Sequence, residues 1–360
     1  MNLVDPLDRA DLRARVTKAL DAFVGARRPA LEAIGDDLVP VADTIAEFVT
    51  HGGKRVRPAF CYWAWRAAGG PDADTIVAAA AALELLHACA LVHDDVMDRS
   101  DRRRGRPAVH RRFATLHRQE GWRGDAEAFG RSAAILLGDL CLAWSDEMLR
   151  SSGLPAEALL RAASCYDAMR TEVMAGQYLD IVGQVTAEAP AVDALRIARF
   201  KTATYTVQRP LLIGASLAGA DDALLTAFSA YGLPLGEAFQ LRDDVLGVFG
   251  DPAVTGKPAG DDLREGKRTV LVVTALRQAG RGAAARVRSG LGDPGLDEGE
   301  LATMREIIAG TGALDHVERL IAELTDRALG ALAAAPIGRE ATEATEALAE
   351  LAVAATRRAA

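Results

Sequence analysis

The sequence predicts an all-α protein, and three observations lead to that fold class. Alanine and leucine dominate the apolar residues, and both favour helices over strands. Helical periodicity runs through nearly the whole chain, with no strand pattern and no internal repeat. The 360 residues contain no linker long enough to separate two domains, so we expect one large helical domain spanning 1–360.

The N-terminal part is expected to hold one or two helices over 8–50. They end at the segment HGGKRVRP, residues 51–58. Gly52 and Gly53 interrupt a helix, whereas Pro58 suits the first turn of the next one. This segment therefore predicts a basic turn between two helices.

A long apolar helix is predicted over 74–98, followed by a polar, basic loop over 100–109. A second loop, over 250–268, is rich in glycine, proline and charged residues, and alanine-rich helices end the chain. Periodicity predicts further helices over 126–150, 156–183, 191–218, 221–249 and 269–279.

Charge and composition exclude several classes of protein. The net charge of −8 and the pI of about 5.4 argue against a nucleic-acid-binding protein, although a local basic cluster can still bind phosphate. The apolar stretch 76–92 contains Glu84 and His87, which predicts a buried helix and no transmembrane segment. The N-terminal residues do not read as a secretory signal. We expect a cytoplasmic protein with four reduced cysteines, which are Cys61, Cys89, Cys141 and Cys165.

The first group of candidate site residues is the motif HDDVMD, residues 93–98, at the end of the long apolar helix. Asp94 and Asp98 share a helix face because they are four residues apart, and Asp95 adjoins them. Carboxylates this close together repel one another unless cations neutralise them. Mg²⁺ suits such a site, because it binds carboxylate oxygens together with substrate phosphates. A solvated acidic helix end is the alternative, but a helix C-terminus disfavours negative charge.

A second acidic pair, Asp243 and Asp244, lies in FQLRDDVLGVFGD, residues 239–251. It ends another apolar helix, far enough along the chain to face the first motif across a cavity. Basic residues accompany both motifs, which predicts an anionic ligand that also binds metal, and a diphosphate fits that description. These basic residues are Lys54, Arg55 and Arg57, then Arg102, Arg103, Arg104 and Arg106, then Lys257, Lys267 and Arg268.

Taken together, these motifs resemble the trans-isoprenyl diphosphate synthase (polyprenyl synthetase) family. The resemblance covers about residues 50 to 270 and is specific because the motifs occur in the family's order. The matching segments are GGKRVRP at 52–58, LELLHACALVHDDVMDRSDRRRGRPAVH at 83–110, KTA at 201–203, FQLRDDVLG at 239–247 and GKPAGDDLREGKRT at 256–269.

The resemblance implies an isoprenoid synthase bundle with a deep central cavity, two isoprenoid diphosphate substrates and Mg²⁺. It assigns metal binding to Asp94, Asp95, Asp98, Asp243 and Asp244. It assigns the allylic diphosphate to Arg103, Lys201, Lys257 and Lys267, and isopentenyl diphosphate to Lys54, Arg57, His87 and Arg104. Thr202 and Gln240 match positions at the reaction centre. The family commonly forms homodimers, so we expect one here.

The implied reaction is a head-to-tail condensation. Metal ions and cationic side chains stabilise the departing diphosphate, and the allylic cation is kept from water. The isopentenyl double bond then attacks this cation, and a proton is lost, with the departing diphosphate as the expected base.

One position departs from the family's DDxxD pattern, because Gly247 stands where the last aspartate is usual. Asp251 is our candidate replacement, seven residues beyond Asp244, provided that the helix continues to it. The departure leaves two alternatives of another class: a class I terpene cyclase and a non-catalytic subunit of a heteromeric synthase. The intact basic segments favour the synthase over a cyclase, and the complete first motif argues against a non-catalytic subunit.

Product length is predicted from the residues just before the first motif. In this family, bulky residues four or five positions before it form the floor of the cavity. Here they are Ala90 and Cys89, both small, so the next candidates for a floor are Leu86 and the aromatic residues Tyr62 or Trp63. We expect geranylgeranyl diphosphate (C20), with farnesyl and longer polyprenyl products as alternatives, and we expect Cys89→Phe to shorten the product.

Overall fold

The computed structural model describes residues 9–185, 191–251 and 260–357. Within these residues every regular element is a helix apart from one two-stranded hairpin, so the all-α prediction is confirmed. The single-domain organisation stays a prediction.

The helices follow one another with short connections. The first seven are α1 (Leu12–Glu32), α2 (Val39–Thr50), α3 (Val56–Ala67), α4 (Asp74–Met97), α5 (Val109–Gln119), α6 (Ala126–Arg150) and α7 (Ala156–Val185). The others are α8 (Ala191–Ala198), α9 (Arg209–Ala218), α10 (Asp222–Phe249), α11 (Asp261–Arg264), α12 (Val270–Gln278), α13 (Arg281–Gly290), α14 (Glu298–Gly310), α15 (Ala313–Ala333) and α16 (Thr342–Thr356). Short 3₁₀ turns lie at Arg9–Asp11, Asp36–Leu38 and Arg339–Ala341, and a π-helix spans Arg199–Gln208.

Local sequence accounts for several helix starts. The Asp125 carboxylate accepts a hydrogen bond from the backbone N–H of Glu127 at the start of α6. At the start of α14, Asp297 and Glu300 form a reciprocal capping box. Such caps satisfy backbone donors that have no partner within the helix.

The chain divides into two compact units. The first comprises Met1–Ser164, Pro210–Asp221 and Ile337–Ala347. The second comprises Cys165–Arg209, Asp222–Pro336 and Leu348–Ala360.

Helix α4 is the centre of the first unit, where it packs against α1, α3 and α6. The Ser145 hydroxyl donates to the Ala82 carbonyl at 2.7 Å, which ties α6 to α4. Gly214 lets α9 approach α3, since a Cβ there would lie 1.9 Å from the Cys61 carbonyl oxygen. Helix α4 is long and apolar enough to cross a membrane, but 72% of its apolar window is buried inside the fold.

In the second unit, α10 packs against α15 and the π-helix. Apolar residues of α10, α12, α14 and α15 form one continuous core. A Cβ on Gly236 would lie 2.5 Å from the Ala203 carbonyl oxygen, so a glycine is needed where α10 meets the π-helix.

The structure differs from the sequence predictions at three places. The loop 100–109 contains the antiparallel hairpin β1 (Arg102–Arg103) and β2 (Arg106–Pro107). Its two-residue turn has positive φ at Arg104 (52°) and Gly105 (75°), as hairpin turns of this length require. The helix predicted over 191–218 is interrupted by the π-helix, and the loop 250–268 contains α11. None of these short features has a periodic apolar signal.

Candidate active site

The first aspartate region lies in the first unit, where α4 ends. It comprises the last turn of α4, the hairpin and the glycine turn at 51–55. Asp94 and Asp95 belong to the final turn of the helix, and Asp98 is its C-cap. The backbone N–H of Asp98 donates to the Asp94 carbonyl at 2.8 Å, so Asp98 keeps the helical spacing to Asp94.

The hairpin brings Arg103 onto these carboxylates. Its Nε donates to Asp95 Oδ1 at 2.8 Å, and its Nη2 contacts the same oxygen and lies 3.4 Å from Asp94 Oδ2. The Asp95 side chain is fully buried, and that of Arg103 is 10% exposed. A buried carboxylate is therefore held by a charge-assisted pair of hydrogen bonds to one guanidinium.

The glycine turn positions the next arginine of the hairpin. Gly52 and Gly53 have φ of 72° and 90°, and a Cβ on Gly53 would lie 3.2 Å from Arg104 Nη2. The guanidinium of Arg104 thus lies over this turn, with its Nη1 3.3 Å from the His51 carbonyl oxygen. The glycines permit both the backbone conformation and this close approach.

Arg55 has a structural role that sequence reasoning missed. Its Nη1 donates to Glu84 Oε2 at 2.8 Å, and its Nη2 donates to the Val49 carbonyl at 2.6 Å. The side chains of Arg55 and Glu84 are 2% and 3% exposed. This buried ion pair ties the glycine turn to α4. The signal in the sequence was the charged Glu84 within an apolar helix.

Positive charge is concentrated around His87. Burial and the neighbouring cations, first Arg57 and then Arg104, hold the pKa of His87 well below 6.5. Desolvation beside this cluster also lowers the pKa of Arg104, and repulsion from Arg55, Arg103 and Arg57 adds to it. Arg57 is buried in the first turn of α3, whereas Lys54 is exposed on the turn before it. A neutral imidazole among closely placed guanidinium groups is an environment that suits an anion.

The residues predicted to set product length lie on different faces of α4. Cys89 is buried with its Sγ 3.8 Å from His93 Nδ1, and His93 Nε2 is 3.0 Å from the Ile135 carbonyl oxygen of α6. Cys89 therefore belongs to the side of α4 that packs on α6. Ala90 is half-buried, three residues after His87 and four before Asp94, and so shares their face. Leu86 is buried one turn below Ala90.

The second aspartate region lies in the second unit. It comprises the π-helix, the end of α10 and α11 with the residues that follow it. Lys201 and Thr202 belong to the π-helix, and Lys201 Nζ donates to Asp180 Oδ2 of α7 at 2.7 Å. A Cβ on Gly176 would lie 2.3 Å from the Lys201 backbone nitrogen, so α7 and the π-helix are in close contact here. π-helical turns occur frequently at functional sites.

Helix α10 supplies Gln240, Asp243 and Asp244. The Gln240 amide donates to Asp244 Oδ1 at 2.6 Å. Asp244 is 6% exposed, whereas Asp243 is half-buried. Burial, followed by the negative charge of Asp262, raises the pKa of Asp244 to about 8, against the opposing effect of the Gln240 hydrogen bond. This carboxylate needs a nearby cation to be charged at neutral pH.

Lys267 and Asp262 complete the second region. Lys267 Nζ lies 3.6 Å from Asp262 Oδ1 and forms a closer ion pair with Glu265. Sequence reasoning did not select Asp262, although it stands in the same GDDLREGKR segment as Lys267. Lys257 was also predicted to bind diphosphate, and it lies outside the described residues.

The proposed replacement for Gly247 does not have the geometry on which it depended. Helix α10 ends at Phe249, and Asp251 is exposed beyond that end. Asp251 therefore does not share a helix face with Asp243 and Asp244.

Oxygen ligands in both regions fit Mg²⁺, which typically binds one or two carboxylates together with substrate phosphates. In the described parts of the chain, no group of three or more histidine, cysteine or acidic side chains is already arranged around a metal position. Two or three carboxylates in each region suit a metal that takes its remaining ligands from a diphosphate.

Comparisons with known proteins agree with this chemistry. The sequence model of the polyprenyl synthetase family matches residues 40–308. The geranylfarnesyl diphosphate synthase of Aeropyrum pernix is 35% identical over 79% of this chain and 84% of its own length. A geranylgeranyl diphosphate synthase of Mycobacterium tuberculosis is 37% identical over 79% of this chain and 75% of its own length.

Solved structures give the same result for the fold. The geranylgeranyl pyrophosphate synthase of Corynebacterium glutamicum, determined with isoprenyl diphosphate and magnesium, is 43% identical. It superposes with a TM-score of 0.92 over 99% of this chain and 100% of that one. The chain therefore belongs to the polyprenyl synthetase family of prenyltransferases.

Proposed function

We propose that this prenyltransferase condenses isopentenyl diphosphate head to tail with an allylic diphosphate and releases geranylgeranyl diphosphate (C20). The observation that carries the proposal is the cation cluster of Arg57, Arg103 and Arg104 around a neutral His87, beside Asp94 and Asp95. A site with both arginines and close carboxylates suits a ligand that carries phosphate and binds metal.

Mg²⁺ is the proposed metal, and each region would bind it with its own carboxylates. The buried Asp244 carboxylate, with its raised pKa, supports this choice because a cation removes the cost of its charge. Bound Mg²⁺ supplies the positive charge that stabilises a departing diphosphate. The proposed ligands are Asp94, Asp95, Asp98, Asp243 and Asp244.

The side chains divide the two substrates between them. Arg103, Lys201 and Lys267 bind the allylic diphosphate and stabilise it as it leaves. Lys54, Arg57, His87 and Arg104 bind the isopentenyl diphosphate. Thr202 and Gln240 line the reaction centre, where the double bond attacks the allylic cation and water is excluded.

Product length depends on the face that Ala90 shares with His87 and Asp94. A small side chain there leaves room for a tail longer than C15 to pass toward Leu86. Relatives named for geranylgeranyl and geranylfarnesyl products support a tail of C20 or longer, and the structural relative with 43% identity supports C20.

The test is an incubation with isopentenyl diphosphate, Mg²⁺ and each short allylic diphosphate in turn, with product length read by mass spectrometry. A C20 diphosphate supports the proposal. A hydrocarbon released from an allylic diphosphate alone would instead favour the cyclase that Gly247 suggests. A folded, metal-loaded protein that forms neither product would contradict prenyl transfer by this chain alone.

A pair of variants tests the basis of product length. We expect Ala90→Phe to shorten the product, since the ring would fill the face shared with His87. The sequence alone predicted that Cys89→Phe would shorten the product, but Cys89 lies on the α6 side of α4. We therefore now use Cys89→Phe as the matched control with an unchanged product, and its folding is checked by melting temperature. A shorter product from Cys89→Phe alone would contradict the assignment to Ala90.

We further propose that the enzyme is a cytoplasmic homodimer. Buried cysteine thiols and the burial of α4 support a soluble protein in a reducing compartment.

Ile135 and Leu136 on α6 are 46% and 68% exposed, and adjacent exposed apolar residues often mark an interface. Light scattering should give twice the chain mass for the wild type and the chain mass for Leu136→Glu. A monomeric wild type would contradict the proposal.

A further inference from the structure

Helix α10 ends close to the aspartates that it carries. Its last residue is Phe249, less than two turns after Asp243 and Asp244. The carbonyl groups of a helix's last turn have no partner within the helix and carry partial negative charge. Two aspartates near that end add to the negative charge. The end of α10 is therefore a place where a cation from another element is strongly stabilising.

Arg305 of α14 supplies that cation. Its Nε donates to the Val248 carbonyl at 2.7 Å, one helical turn beyond Asp244. The neighbouring Gly247 carbonyl accepts from the backbone N–H of Gly260 at 3.1 Å, which joins the start of α11 to α10. The last turn of α10 is thus held by one side chain of α14 and by the backbone before α11.

The same guanidinium lies against the start of α11. Gly260 is the N-cap of α11, with φ of 84°, and a Cβ on it would lie 3.2 Å from Arg305 Nη2 and 2.8 Å from Leu301 Cδ2. Leu301 and Arg305 are four residues apart, so one face of α14 meets the junction of α10 and α11. Beyond α11, the N–H of Lys267 donates to the Asp262 carbonyl at 2.9 Å, so the position of α11 also sets that of Lys267.

Holding Arg305 in this place is costly. Its Nη2 is buried and has no hydrogen-bond partner among the residues that the structure describes. A buried donor without an acceptor loses its hydration and gains nothing in return. The hydrogen bond to Val248 does not remove that cost. We interpret the cost as what the fold spends to keep the end of α10 in one position.

We propose that Arg305 is a positioning residue for prenyl transfer, because it fixes the end of α10 against α11. It thereby sets the distance between Asp243 and Asp244 on the one element and Lys267 beyond the other. Arg305 acts through the backbone and does not itself contact metal or substrate. This inference rests on the proposed function, which assigns these three side chains to a metal-bound diphosphate.

The first experiment measures binding of Mn²⁺ with inorganic diphosphate by titration calorimetry, so it needs no isoprenoid. Arg305→Met keeps an apolar stem and removes the donor and the charge. We expect metal-dependent diphosphate binding to weaken about 10-fold, the low end of the range for groups that orient metal ligands without contacting the metal. Binding by folded Arg305→Met equal to that of the wild type would overturn the proposal.

Arg161→Met is the matched control, because Arg161 caps the end of another helix in the same manner. Its Nε donates to the Ser216 carbonyl at 3.1 Å and its Nη2 to the Leu217 carbonyl at 3.0 Å, in the last turn of α9. Both variants should lower the melting temperature, but Arg161→Met should leave metal–diphosphate binding unchanged. Equal weakening of binding in both would mean that lost stability, and not positioning, is the cause, which would contradict the proposal.

A second variant decides if Arg305→Met does not fold. Arg305→Lys keeps the positive charge but lacks the planar guanidinium that spans α10 and α11. We expect it to fold and to raise KM for the allylic diphosphate, with KM for isopentenyl diphosphate unchanged, since Lys54 and Arg57 belong to the first unit. Wild-type values of both constants, an equal rise in both, or a failure of both variants to fold would overturn the proposal.

The two proposals fail in different ways. Weaker metal–diphosphate binding in Arg305→Met without C20 synthesis by the wild type would contradict the product and leave the role of Arg305 supported. C20 synthesis by the wild type with equal metal–diphosphate binding in Arg305→Met would contradict only the role of Arg305.

Discussion

The two aspartate regions differ in how the chain compensates their charge. In the first, Arg103 donates directly to the buried Asp95 and lies close to Asp94. In the second, the buried Asp244 receives a hydrogen bond from the neutral Gln240, and its pKa rises to about 8 through burial and through Asp262. One region therefore contains its own counter-charge at the carboxylates, whereas the other keeps a carboxylate that is costly to ionise.

This difference indicates where ligand binding should change stability most. A metal ion that enters the first region competes with Arg103 for the carboxylates. Part of the stability gained on metal binding is therefore offset by the loss of the Arg103 contacts. At the second region a cation relieves a cost that the folded chain carries without it, and binding to the folded state alone adds stability. We therefore expect the second region to be stabilised more strongly by metal and diphosphate.

The largest effect is expected from breaking the ion pair that supports the first region. Glu84→Gln leaves the Arg55 guanidinium buried without its counter-charge, which typically costs about 3–5 kcal/mol. The free energy of unfolding, measured in urea, should fall by that amount. The glycine turn would loosen at the same time, so isopentenyl diphosphate should bind more weakly. A loss under about 1 kcal/mol would mean that this pair does not hold the turn.

The next effect concerns catalysis in the first region. Arg103→Gln removes the charge that holds Asp94 and Asp95 and that is proposed to stabilise the leaving diphosphate. We expect kcat to fall about 100-fold, the size found when one donor to developing negative charge is removed. Arg102→Gln is the control, because Arg102 Nη2 donates to the Gly105 carbonyl at 2.6 Å, within the hairpin itself. Equal loss in both variants would indicate that the hairpin fold matters rather than Arg103.

Sequence reasoning predicted the two regions unequally well. The helices that carry them were predicted to within two residues at α4 and α10, because long apolar periodicity specifies such elements. The hairpin that delivers Arg103 and the π-helix that carries Lys201 were not predicted, since each depends on short backbone features. Asp262 was missed because its proximity to Gly247 is a tertiary contact between α11 and α10. Composition and spacing identify acidic pairs, but which carboxylate fills which volume requires the fold.

The third effect is a change in melting temperature on removing one carboxylate, and it should have opposite signs in the two regions. Asp244→Asn removes a carboxylate with a raised pKa. The native carboxyl keeps its proton while the unfolded one ionises, so wild-type stability falls from about pH 4 to about pH 8. In metal-free protein, the melting temperature of Asp244→Asn should exceed that of the wild type by about 2–4 °C or more at pH 8 and by little at pH 4. Asp95→Asn should lower it at pH 8, because Arg103 loses a charged acceptor. If both substitutions shift the melting temperature in the same direction at pH 8, the proposed difference between the two regions is contradicted.

The smallest effect is expected at the ion pair that borders the second region. Arg242 precedes Asp243, and its two terminal nitrogens donate to the Glu318 carboxylate at 2.6 Å each, while its Nε donates to the Thr356 carbonyl at 2.9 Å. Glu318 is 40% exposed, so water screens the pair and Glu318→Gln should cost under about 1 kcal/mol. Added salt should reduce even that difference. The Arg242–Glu318 pair is bidentate, which is a better geometry than that of the Arg55–Glu84 pair. If Glu318→Gln lowered the free energy of unfolding as much as Glu84→Gln does, then geometry, and not burial, would decide how much each pair contributes to stability.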